Sequence, residues 1–91
     1  MRISPDFIFR NVAGEAVVIP SGEAARHFSG LIALNESGQF LYELLTEDRT
    51  EEELVRAILD AYEIDPETAA ADVAEFIALL REHHMLADDQ T

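Results

Sequence analysis

Histidine is the side chain best suited to proton transfer or metal binding near neutral pH, and this chain carries three, His27, His83 and His84. His83 and His84 are adjacent, so on a helix they point about 100° apart and cannot chelate one ion as residues four apart would. His27 is remote from both in sequence, and all three are read as surface or helix-end histidines. Glu51-Glu52-Glu53 could supply carboxylates for acid–base or metal chemistry, but the first turn of a helix attracts acids through its dipole, and that reading is preferred. There is no cysteine, which removes disulfides, thiolate zinc sites and a cysteine nucleophile. Gly14, Gly22, Gly30 and Gly38 match neither a phosphate-binding loop nor a dinucleotide fingerprint, and no G-x-S-x-G elbow exists for a serine nucleophile. No catalytic residue, no metal site and no cofactor are expected, which points to a binding protein rather than an enzyme.

The chain has 91 residues, 48% of them hydrophobic, enough for one domain spanning 1–91 with its own core. Met1-Arg2-Ile3-Ser4-Pro5 lacks the apolar segment of a signal peptide, and no later run approaches the roughly 18 apolar residues of a membrane span, so a soluble cytoplasmic protein is expected. Net charge is −13, with no lysine. Residues 1–34 are balanced, Arg2, Arg10 and Arg26 against Asp6, Glu15 and Glu23; all the excess acid lies from residue 35 onward. Such a surface repels phosphate backbones, so nucleic acid is not expected as a partner, nor is a membrane.

The elements that would position a binding site can be read from pattern. Phe7-Ile8-Phe9-Arg10-Asn11-Val12 and Ala16-Val17-Val18-Ile19 are rich in aromatic and β-branched residues and flank Ala13-Gly14-Glu15, the form of a β-hairpin. Pro20 and Ser21-Gly22 end the second strand, and a loop runs to about His27. Phe28 to Leu34 reads as a third strand at a sheet edge, Phe28, Ile32 and Leu34 on one face and Ser29, Leu31 and Ala33 on the other. From Asn35, a good N-cap, the period becomes helical: Phe40, Leu41, Leu44 and Leu45 mark a helix over about 36–45. Thr50-Glu51-Glu52-Glu53 has the form of a capping box opening a second helix over 51–62, with Leu54, Val55, Ile58, Leu59 and Tyr62 on its apolar face. Asp65-Pro66 opens the longest helix, about Pro66 to His84, with Ala69, Val73, Phe76, Ile77 and Leu80 as its core stripe; residues 87–91 form a polar tail expected to fray. Strands followed by helices make an α+β domain, a three-stranded antiparallel sheet then three helices in a winged-helix-like arrangement.

The run Gly30-Leu31-Ile32-Ala33-Leu34-Asn35-Glu36-Ser37-Gly38-Gln39-Phe40-Leu41-Tyr42-Glu43-Leu44-Leu45 resembles the family of coenzyme pyrroloquinoline quinone synthesis protein D, whose members pass from a third strand through Leu-Asn and a glycine into the first helix. Thr50 to Val55 is similar to that family's second helix start and Ala71 to Leu80 to its third helix, so the likeness covers roughly residues 10–86. One departure is that the family closes the third helix with a glycine before two apolar residues, where this chain has His84 before Met85-Leu86. The resemblance implies a recognition element that binds the leader of a ribosomally made precursor peptide and presents it to a modifying enzyme, commonly a radical S-adenosylmethionine enzyme. It also implies that the leader adds as a strand beside the third strand and lies against the third helix, a case of β-augmentation.

An open strand edge offers unpaired N–H and C=O groups, and the same edge could instead pair with a second copy of the chain as a homodimer. On the third helix Asp72, Glu75, Leu79 and His83 share a flank beside the core stripe, with Phe76 at its boundary. The expected peptide-binding set is therefore Ser29, Leu31, Ile32, Ala33, Asp72, Glu75, Phe76, Leu79 and His83, with Asn35 and Gly38 assigned to capping and packing. Two other functions compete with this reading, a winged-helix transcription factor and an acidic structural or inhibitory module that docks on a basic protein. A DNA-reading helix needs several basic residues, yet residues 66–84 hold only Arg81 against Glu67, Asp72, Glu75 and Glu82. The expected outcome with duplex DNA at physiological salt is no retardation in a band-shift assay at low micromolar protein; a shifted band under those conditions contradicts the charge argument.

Overall fold

The computed structural model describes residues 1–26 and 30–87. Two strands, β1 (Phe7–Val12) and β2 (Glu15–Pro20), pair antiparallel from Phe7 opposite Pro20 to Val12 opposite Glu15. The two-residue connection has Ala13 at φ 52° and Gly14 at φ 83°, the positive φ at both central positions that a type I′ hairpin turn requires. Residues 22–26, expected as loop, include a 3-10 turn over Ala24–Arg26, whose Arg26 N–H donates to the Glu23 carbonyl at 3.1 Å.

The third strand, β3 (Ile32–Leu34), pairs antiparallel with β2, giving the order β1-β2-β3. It is shorter than the Phe28–Leu34 expected. Extending the register would place Leu31 opposite Ile19 and Gly30 opposite Pro20, but Pro20 has no N–H to donate and Gly30 turns away at φ 97°. Phe28 and Ser29 lie outside the described residues, as do His27 and residues 88–91 of the expected tail.

Helix α1 (Glu36–Leu44) follows β3 directly, and Asn35 between them is its N-cap: the Gly38 N–H donates to Asn35 Oδ1 at 2.8 Å. Helix α2 (Glu51–Ala61) begins with the capping box read from Thr50 and Glu53, Glu53 N–H to Thr50 Oγ1 at 3.1 Å and Thr50 N–H to Glu53 Oε1 at 2.8 Å. Helix α3 (Pro66–Glu82) is capped by Asp65, which accepts from the Thr68 N–H at 2.7 Å, with Pro66 in the first turn. Backbone N–H donors hold the Glu53 and Asp65 carboxyls below the usual carboxylate range. Both caps therefore contribute in full above that range and are lost as pH falls below it.

The expected α+β, winged-helix-like class is what the chain adopts. Its core joins the inner face of the sheet to all three helices: Phe7 and Val18, Leu41 and Leu45, Leu54 and Ile58, and the α3 stripe Ala69, Val73, Phe76, Ile77 and Leu80. Each large aliphatic side chain buried here contributes about 1.5–3 kcal/mol. Two ring contacts tie elements together, Phe9 with Tyr42 at 5.7 Å between centroids and Phe40 edge-on to Tyr62 at 5.6 Å.

Helix α3 ends two residues before the expected His84, for a local reason. His84 takes φ 55°, its N–H donates to the Arg81 carbonyl at 3.1 Å, and the Met85 N–H donates to the Leu80 carbonyl at 2.8 Å. These are the two bonds of a Schellman motif, and Leu80 and Met85, both fully buried, supply its apolar contact. The chain then pairs with its own first residues: Ser4 N–H donates to the Met85 carbonyl at 2.7 Å and Ala87 N–H to the Arg2 carbonyl at 2.9 Å.

Two outcomes are expected in urea denaturation. His84→Gly should raise stability by about 0.5–1 kcal/mol, because a side chain in the left-handed region is replaced by the residue that adopts it freely. Asn35→Ala should lower stability by about 1 kcal/mol through loss of the cap, while Asn35→Asp, which keeps an acceptor, should lower it far less. A His84→Gly protein less stable than the parent, or equal loss in both Asn35 variants, contradicts these assignments.

Candidate functional site

The corner where β3 turns into α1 is also where α3 passes. Gly38, in the first turn of α1, is buried there, and a Cβ at this position would stand 3.0 Å from Asn35 Oδ1, 3.5 Å from Phe76 Cε1 and 3.6 Å from Leu34 Cβ. Only the Asn35 contact is tighter than ordinary van der Waals packing, so a side chain at this position would crowd the capping oxygen while fitting against Phe76 and Leu34. On the open side of this contact lies a cavity of about 580 Å³. One wall is Ala33 and Leu34 of β3 with Asn35, Ser37 and Gly38 of the corner, Leu41 is at the floor, and the other wall is α3 through Asp72, Glu75, Phe76, Ala78, Leu79 and Glu82.

The side of β3 away from β2 pairs with no strand among the described residues, so its edge is open beside the cavity. Ile32 and Leu34 pack against the core while Ala33 is exposed, the alternation expected of a strand with one buried face. Across from them Phe76 is buried, Leu79 is half-buried and touches the core, and Asp72, Glu75 and Glu82 are exposed. Apolar surface thus lies deep in the cavity and carboxylates stand at its rim.

Of the residues singled out from the sequence, the structure brings Ala33, Asp72, Glu75, Phe76 and Leu79 to this one cavity. Ile32 faces the core, Leu31 is exposed and does not line the cavity, and Ser29 lies outside the described residues. His83 does not line this cavity. It is the C-cap of α3, where the helical phase ends, and it lines a second cavity with Ser4, Asp6, Phe7, Glu23 and Ala24. The helical stripe continues through Glu82, which stands ten residues after Asp72 and seven after Glu75 on the same face. The positions not singled out for binding are Leu34, Asn35, Ser37, Gly38, Leu41, Ala78 and Glu82. Glu82 was available from helical spacing once the helix end was known; Asn35 and Gly38 were visible as cap and close-packing residues, and the corner they build is the groove's end.

Among the described residues no group of three or more His, Asp or Glu side chains is placed to hold a metal ion. Nor is any described helix long and apolar enough to cross a membrane.

Comparison with solved structures finds the same fold in TbiB1 in complex with the TbiA(beta) leader peptide, at 24% identity and TM-score 0.78, with 100% of both chains covered. It is also found in lasso peptide synthetase B1 complexed with the leader peptide, at 17% identity and TM-score 0.73, covering 92% of this chain and 93% of that one. Comparison with curated proteins gave no match. The family model for coenzyme PQQ synthesis protein D matches residues 15–86, from the second strand through all three helices to the clipped end of α3. The chain belongs to the coenzyme PQQ synthesis protein D family.

Proposed function

We propose that this chain is a single peptide-recognition domain that captures the leader of a ribosomally synthesised precursor peptide as an added strand on β3 and presents it to a modifying enzyme. The observation that carries this reading is the open edge of β3 facing α3 across a cavity with an apolar floor. An extended peptide laid there gains backbone hydrogen bonds from Ile32–Leu34, and every second side chain points at α3. Membership of the family supports the reading, as do the two solved structures of the same fold, both described with a leader peptide. The leader would contact Ala33 on β3 and Asp72, Glu75, Phe76 and Leu79 on α3.

The partner enzyme proposed is of the radical S-adenosylmethionine class, working in the cytoplasm, with this chain contributing position rather than chemistry. A homodimer formed by edge pairing would occupy the same face of β3, so self-association and leader capture exclude one another on this reading.

The test is titration with the leader of a candidate ribosomally synthesised precursor peptide. Leu79→Ala should weaken binding by about 1–3 kcal/mol, as for truncating a half-buried apolar anchor. Circular dichroism of the same samples separates this from unfolding, since Leu79 also touches the core. Methylating the leader's backbone amides one at a time should weaken binding with a period of two residues, because alternate N–H groups face the strand. Folded Leu79→Ala, Asp72→Asn and Glu75→Gln proteins that all bind the leader like the parent would place the peptide elsewhere.

A further inference from the structure

The charge of the cavity sits on one wall and has a spacing. On α3, Asp72, Glu75, Leu79 and Glu82 follow one another at three, four and three residues, a narrow arc of one helical face. At a rise of about 1.5 Å per residue, Glu75 stands about 4.5 Å, Leu79 about 10.5 Å and Glu82 about 15 Å along the axis from Asp72. Among the described residues the facing wall of Ala33, Leu34, Asn35, Ser37 and Gly38 carries no charge, and no arginine lines the cavity. Asp72, Glu75 and Glu82 make no ion pair among the described residues.

Helix α3 runs back along the sheet against the direction of β3. Phe76 meets Gly38 and Leu34, whereas Glu82 also lines the second cavity with Phe7, at the end of the sheet remote from Leu34. An extended peptide between them points a side chain at α3 about every 6.6–6.8 Å. Three such side chains span about 13.5 Å, close to the stripe itself, so the first falls between Asp72 and Glu75, the second beside Leu79 and the third at Glu82.

We infer that the peptide taken by this groove is cationic in a fixed register, its α3-facing residues reading basic, apolar, basic at alternate positions. The inference rests on strand addition at β3 and names the ligand chemistry of that site. The basic side chains lie against Asp72 with Glu75 and against Glu82, and the apolar one inserts between Leu79 and Phe76. The pattern is symmetric, so it holds whether the peptide runs parallel or antiparallel to β3. Net charge of −13 adds long-range attraction for a basic peptide and repulsion for an acidic one.

Three synthetic nine-residue peptides of threonine with a central leucine test this by amide chemical-shift titration of the isotope-labelled protein. The first has lysine two positions to either side of the leucine, the second has glutamate in those places, and the third keeps both lysines but moves each by one position, to face away when the leucine faces α3. The first should bind about tenfold more tightly than the second at low salt, with the gap narrowing as salt is added, and severalfold more tightly than the third. In the folded Glu75→Lys, Glu82→Lys double variant the glutamate peptide should bind more tightly than the first. Equal affinity of all three peptides with shifts at Ile32–Leu34 would overturn the charge register while leaving strand capture intact. No shift at β3 or α3 with any peptide up to about 1 mM would overturn strand capture itself.

Discussion

The packing of the first turn of α1 against Phe76 of α3 and Leu34 of β3 closes one end of the groove. Gly38 stands at that meeting point, Asn35 caps the same turn with the oxygen that a Cβ there would crowd at 3.0 Å, and Leu34 completes the contact from β3. Three elements thus meet at one point, and the cavity opens from it. The rest of the core holds this point steady: the α3 stripe is buried against α2 and the sheet, and the end of α3 is pinned by hydrogen bonds to Arg2 and Ser4. A wall anchored at both ends keeps its spacing from a strand, which an extended ligand requires because its own repeat is fixed by backbone geometry.

Much of this was legible in the sequence because it is locally determined. The Thr50 to Glu53 capping box, the Asp65-Pro66 start and the five-residue stripe of α3 each follow from short-range chemistry or from a 3.6-residue period, and each stands where it was read. The misses share a different origin. Gly30 and Leu31 fall in a run of strand composition, yet the start of β3 is set by what lies opposite, Pro20 without a donor, and by the positive φ of Gly30. His83 was placed on the groove flank by counting onward along a helix that stops one residue earlier. The stop depends on His84 taking a left-handed conformation that histidine adopts less readily than glycine, held by the two Schellman hydrogen bonds and the joint burial of Leu80 and Met85. Of the site, the α3 wall was readable from one helix; the corner of Leu34, Asn35, Ser37 and Gly38 was readable only as capping and packing. Nothing in a cap's sequence says that it also forms a groove's end.

The division of charge along the chain gains a spatial meaning in the fold. The balanced first third builds the sheet, and the acidic remainder builds the helices, so the groove lies at a boundary between a neutral strand edge and a carboxylate-bearing helix. A peptide captured there as proposed would be held by two different kinds of force. Backbone bonding to β3 would be indifferent to its sequence, whereas the α3 wall would read side chains by size at Leu79 and Phe76 and by charge at the rim. Affinity and selectivity would then be assigned to opposite walls.

The brevity of β3 has a kinetic meaning. A three-residue edge offers few backbone donors and acceptors, each worth about 1 kcal/mol net, so no partner gains much from the backbone alone. Occupancy of the groove is therefore short-lived unless the α3 wall is also satisfied, and dissociation rather than encounter sets how long a cargo stays. A peptide captured here as proposed would leave once its contacts with the α3 wall are given up, because the strand edge alone is too short to retain it.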